Sequence, residues 1–142
     1  MSPELQDELY RRYPAIFAER DLPPEKSSMH FGICAGDGWF ALIDTLCACL
    51  QRDTDEDDEP QPVATQVKRK FGELRFHLRG EKTPRQKAMI QVISDLSMRT
   101  CEICGKPEGE LDRHSTRCPE HRRPPIVRNG PPPHRRNFSE NP

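Results

Sequence analysis

Apolar residues along the chain recur first at helical spacing. Leu5, Leu9, Tyr13, Ile16 and Phe17 mark residues 3–19 as helical, with a break or a fresh start at Tyr13-Pro14. Asp21-Leu22-Pro23-Pro24 ends that segment. Residues 29–34, Met-His-Phe-Gly-Ile-Cys, alternate weakly and read as a short strand or an extended loop. Gly36-Asp37-Gly38 is a turn whose aspartate can cap the next helix by accepting from a first-turn amide. That helix, Trp39 to Gln51, places Trp39, Ile43, Leu46, Cys47 and Leu50 on one stripe, the clearest core signal in the chain.

Beyond it the pattern changes. Asp53 to Glu59 is so dense in carboxylates that it reads as a solvated loop, closed by Pro60 and Pro62. The functional alternative is an acidic surface that mimics nucleic acid or grips a basic partner. Val63, Thr65, Val67 and Phe71 then fall on one face of a strand, and Leu74, Phe76 and Leu78 alternate after Gly72-Glu73. Together these predict an antiparallel hairpin with Gly72 in the turn and Lys68, Lys70, Arg75 and His77 on the other face. Thr83-Pro84-Arg85-Gln86 opens a third helix, with a threonine cap, a proline at the first position and a glutamine completing a capping box. Its core stripe is Met89, Val92 or Ile93, and Leu96, up to about Met98.

The fold class this predicts is α+β: a small antiparallel hairpin packed by helices over residues 1–98, and a Cys/His module over 99–123 packed on that core. The Pro/Arg-rich stretch 124–142 is expected to be disordered. Of the 142 residues only 33% are hydrophobic and 15 are proline, a thin core that needs a metal or a partner. The net charge of −1 conceals a split: residues 1–62 hold 14 acidic and 5 basic residues, and 63–142 hold 9 and 17. Such a chain can pair its halves internally or offer opposite faces to different partners.

No apolar run reaches membrane-spanning length, and Met1-Ser2-Pro3-Glu4-Leu5 lacks a signal segment, so the expected location is cytoplasmic with no membrane partner. There the 6 cysteines are expected as thiols or metal ligands. Four groups fit a metal. Cys101-Glu102-Ile103-Cys104-Gly105 offers two thiolates from one tight turn, and Cys118-Pro119-Glu120-His121 supplies a thiolate and an imidazole. Thiolate and imidazole suit tetrahedral zinc, and four protein ligands leave no position for a catalytic water, so the expected role is structural. His114, between the pairs, is the rival to His121, whose Cys-x-x-His spacing is better. Three thiolates and a neutral histidine leave the zinc site at −1, which Arg113, Arg117, Arg122 and Arg123 can offset.

Three segments taken together resemble small zinc-knuckle proteins of tailed phages and prophages. They are the Gly36-Asp37-Gly38-Trp39 helix start, the hairpin Lys70-Phe71-Gly72-Glu73-Leu74-Arg75-Phe76, and the Cys101-x-x-Cys104-Gly105…Cys118-x-x-His121 module, spanning about 29–121. The resemblance implies a phage setting, with the bacterial host's cytoplasm as the location, and no particular reaction. The loop Arg113-His114-Ser115-Thr116-Arg117 is more basic than that pattern. The module alone is also similar to treble-clef or zinc-ribbon knuckles, which often serve nucleic-acid binding, although no nuclease constellation stands beside it.

Other chemistry finds little footing. Cys47 belongs to the apolar stripe, and Cys34 with His30 lacks an activating base or an oxyanion hole. Asp37 and Asp44 are explained as a cap and an exposed helical residue. Lys68, Lys70, Arg75, Arg79 and Arg85, with Lys82, Lys87 and the tail arginines, offer a basic patch that can grip phosphates. Two functions follow as expectations. The first is a non-catalytic, phage-encoded factor that binds a host protein or protein complex, such as an anti-CRISPR-like or other counter-defence inhibitor. The second is a nucleic-acid-binding accessory protein using the basic half.

Overall fold

Helix α1 (Pro3–Arg12) begins on a proline, whose fixed φ suits a first turn, and ends with Arg11 and Arg12 against the negative end of the helix dipole. It buries Leu9, and after the break at Tyr13-Pro14 the chain turns to bury Ile16 and Phe17 completely. The computed structural model describes residues 1–109 and 116–122. The expected tail 124–142, His114, Arg113 and Arg123 lie outside the described residues.

Strand β1 (Ile33–Cys34) precedes helix α2 (Phe40–Asp57), which leads into β2 (Ala64–Lys70), β3 (Glu73–Leu78) and helix α3 (Pro84–Ser97). The sheet order is β1-β2-β3, with β1 parallel and β3 antiparallel to β2. The expected hairpin is therefore the larger part of a mixed three-stranded sheet. With two residues, β1 shows too little alternation to announce itself. Ile33 faces Val67 across the parallel pair, and Val67 faces Phe76 across the antiparallel one. This row meets the stripe of α2, where Trp39, Ile43, Leu46, Cys47 and Leu50 are all within 1% of full burial. The capping box of α3 forms as expected: Gln86 N donates to Thr83 Oγ1 at 3.2 Å and Thr83 N to Gln86 Oε1 at 3.0 Å.

Four local expectations are corrected. The acidic run continues α2 as helix to Asp57, and the chain leaves at Asp58 in the left-handed region. Opposite charge makes this possible: Arg85 Nη2, from the first turn of α3, lies 2.9 Å from the buried Asp53 and 3.0 Å from Asp57. In β2 an irregularity between Ala64 and Gln66 shifts the alternation, so Ala64 and Val67 are buried and Thr65 is not part of the apolar face. Phe71 joins Gly72 in the turn, both at positive φ (51° and 77°), and its ring is 77% exposed. On α3 the buried positions are Gln86, Ile93, Ser94 and Ser97, while Val92 and Leu96 face outward. The serines turn inward because Ser97 Oγ accepts from Leu74 N at 2.8 Å, closing the free edge of β3.

Candidate metal centre

The two ligand pairs come from separate segments. A short antiparallel bridge, Thr100 to Pro107, holds the base of a loop whose tip is Cys101–Gly105. Gly105 takes φ 74°, and its amide donates back to Cys101 O at 2.8 Å, so the turn is too tight for a side chain there. Cys118 and His121 flank a 3₁₀ turn (Pro119–His121) in which His121 N donates to Cys118 O at 2.9 Å. Glu102 N donates to Thr116 O at 2.8 Å and ties the two segments together.

This places Cys101 Sγ, Cys104 Sγ, Cys118 Sγ and a His121 ring nitrogen within 4.8 Å of one another. Cys104 and Cys118 sulfurs are 3.9 Å apart, and His121 Nδ1 is 3.6 Å from Cys101 Sγ and 3.1 Å from Cys118 Sγ. A tetrahedron with ordinary zinc–sulfur and zinc–nitrogen bonds has edges of about 3.5–3.8 Å. The cluster can hold a metal ion such as zinc, and its donor set is the one zinc prefers.

Electrostatics favour the same use. Burial pushes the Cys101 thiol up, but backbone amides at Cys118, Cys104 and Ile103 point at its sulfur and hold it down at about 6. Cys118 is raised, by burial, then by the hydrogen bonds its thiol makes to the Cys101 and Cys104 sulfurs, and least by repulsion from the Cys101 charge. A divalent cation at the centre removes that repulsion.

The cluster is seated on the core through the helix-start motif. Gly38 N donates to Glu102 O at 2.8 Å, and Trp39 Nε1 donates to Thr100 O at 2.9 Å. A Cβ built on Gly36 would lie 2.0 Å from Glu102 O, and one on Gly38 would lie 2.2 Å from Cys101 O. These glycines are the floor on which the Cys-x-x-Cys loop rests. Asp37, expected to cap α2, instead accepts from Ser2 N at 2.7 Å, because a 3₁₀ turn (Asp37–Trp39) separates it from the helix. Asp44 is likewise not a free helical residue: it accepts from Tyr13 Oη at 2.7 Å and Arg12 at 3.0 Å.

Glu102 was not among the residues the sequence singled out. It is buried, with Arg69 of β2 at 3.0 Å and Arg117 at 3.1 Å on its two carboxylate oxygens. Arg69 also donates to Thr116 Oγ1 at 3.0 Å. One carboxylate thus joins the sheet to both metal-ligand segments. We expect Glu102→Gln to lower unfolding free energy by about 2 kcal/mol, since two arginines lose their counter-charge. Chemical denaturation checks it.

The expected basic patch is divided. Arg79 is held by Glu19 at 2.6 Å and Arg85 by Asp53 and Asp57, while Arg75 pairs with Glu73 within its own strand. Lys68 and Lys70 have no ion pair among the described residues. Cys34 is exposed, and its thiol donates to Phe31 O at 3.5 Å. Among the described residues, no helix is long and apolar enough to cross a membrane. Comparison with protein-family models, with curated proteins and with solved structures finds no match to this chain.

Proposed function

We propose that the chain is a non-catalytic binding protein in which a zinc ion, held by Cys101, Cys104, Cys118 and His121, clamps a C-terminal knuckle to a thin α+β core. The seating of the Cys-x-x-Cys loop on Gly36 and Gly38 carries this reading: a metal there stiffens the contact between the start of α2 and the Cys101–Gly105 loop. Four protein ligands leave no open coordination position, so the zinc is structural. The Thr100–Pro107 bridge under the loop supports a knuckle of the treble-clef or zinc-ribbon kind.

The partner in this reading is a host protein or protein complex in a bacterial cytoplasm, in keeping with the phage resemblance, and inhibition of a host defence complex is its specific form. Val92 and Leu96, one turn apart and exposed on α3, support a protein contact. Affinity capture with the full-length, zinc-loaded chain from host lysate tests it. The expected result is a stoichiometric host protein that survives nuclease treatment. Recovery of nuclease-sensitive material alone would replace this reading with the second one, nucleic-acid binding, which Lys68 and Lys70, without an ion pair among the described residues, favour.

A further inference from the structure

Lys68, Lys70, Lys82 and Lys87, which have no ion pair among the described residues, lie on the hairpin and at the start of α3. Strand β3 and helix α3 border a groove of about 310 Å³ with Arg75, His77, Lys82 and Lys87 in its lining and Gln91 and Ser94 on the α3 side. On the same face of the hairpin Lys68 lies directly across from Arg75. The His77 pKa is lowered, by partial burial and then by the positive charge of Lys82, Lys68, Arg75 and Lys70. Glu73, the carboxylate on this face, is already paired with Arg75. At the hairpin tip, Phe71 is held outward by a left-handed backbone, with Lys70 Nζ 5.3 Å from its ring centre.

We propose that the β3–α3 groove and the Phe71 tip form a binding site for single-stranded nucleic acid, the cations tracking phosphates and the phenyl ring stacking on a base. This rests on the second functional reading and gives it a location. The charge is of the right sign, and apart from Arg75 these cations have no ion pair among the described residues. The six residues of β3 span about 17 Å, along which a strand can lie. A protruding aromatic beside a cationic trough is how sequence-tolerant single-strand binding is built, because every base has a face to stack. Phe71 keeps a left-handed backbone, φ 51°, that costs a large residue free energy, and its ring is left facing solvent. A duplex keeps its bases stacked inside and gives Phe71 nothing to hold. An acidic peptide satisfies the lysines but leaves the ring idle.

The test is fluorescence anisotropy with the full-length, zinc-loaded chain and labelled 15-mer oligo-dT and oligo-U, beside a duplex of equal length. Engaging about four phosphates predicts an affinity loss near 50-fold between 50 and 200 mM salt. Lys82→Glu with Lys87→Glu should weaken single-strand binding at least tenfold. Phe71→Gly should weaken it about tenfold while leaving the fold intact, since glycine accepts that turn. Single-strand binding that both variants retain would overturn the groove and leave nucleic-acid binding standing. No binding at 50 mM salt would overturn both, and a preference for duplex, or equal competition by polyglutamate, would overturn the single-strand assignment.

Discussion

Gly38→Ala is expected to unseat the metal-binding loop. The added methyl would lie 2.2 Å from Cys101 O, 2.5 Å from Gly105 N and 2.7 Å from the Glu102 carbonyl carbon. All three are backbone atoms, so no flexible side chain can move aside. The loop must lift, and the 2.8 Å bond from Gly38 N to Glu102 O goes with it. Overpacking of this kind costs about 3 kcal/mol, or about 10 °C in melting temperature for a chain of this size. Gly109→Ala is the control: nothing lies within 4 Å of its would-be Cβ, and its melting temperature should not move. Equal melting of the two variants would contradict the seating described above.

Cys118→Ser should have the larger effect. Cys118 is fully buried, sits 3.9 Å from Cys104 Sγ and 3.1 Å from His121 Nδ1, and closes the cluster from the second segment. A serine oxygen is a poor substitute for a soft thiolate, so zinc affinity should fall by at least a hundredfold, about 3 kcal/mol or more. Because zinc competes with protons for the thiolates, the wild-type chain should release metal as pH falls, and the variant should release it at higher pH. A chromophoric zinc indicator reads both. Within the cluster the Cys101 thiol is lowered and the Cys118 thiol raised, so without metal Cys118 gives up its proton after Cys101 and proton competition is stronger there.

Much of this was legible locally. The α2 stripe from Trp39 to Leu50 and the Thr83–Gln86 capping box are written within single elements, where period and spacing suffice. The Cys/His cluster was legible for the same reason, because each of its two pairs sits within one turn. What escaped is what depends on residues far apart. Gly36 and Gly38 read as an ordinary turn because the Cys101–Gly105 backbone that needs their missing side chains lies more than 60 positions away. Glu102 carries no signal of its own, because its partners Arg69 and Arg117 lie 33 and 15 positions away. The acidic end of α2 looked too repulsive for helix because Arg85, which offsets it, belongs to another element. The same pairings reshaped the basic patch, tying up Arg79, Arg85 and Arg75 and leaving Lys82 and Lys87 with Lys68 and Lys70.

The chain has one tryptophan, and its indole N–H is bonded to the residue preceding the first metal ligand, so a single emission spectrum reports on the knuckle. The decisive measurement is Trp39 fluorescence of full-length protein, purified without added metal and assayed for zinc, before and after a strong chelator. The account predicts one zinc per chain, and on chelation a red shift with a lower melting temperature, both restored by one equivalent of zinc. Protein without stoichiometric zinc, or an unmoved spectrum and melting curve after chelation, would contradict it.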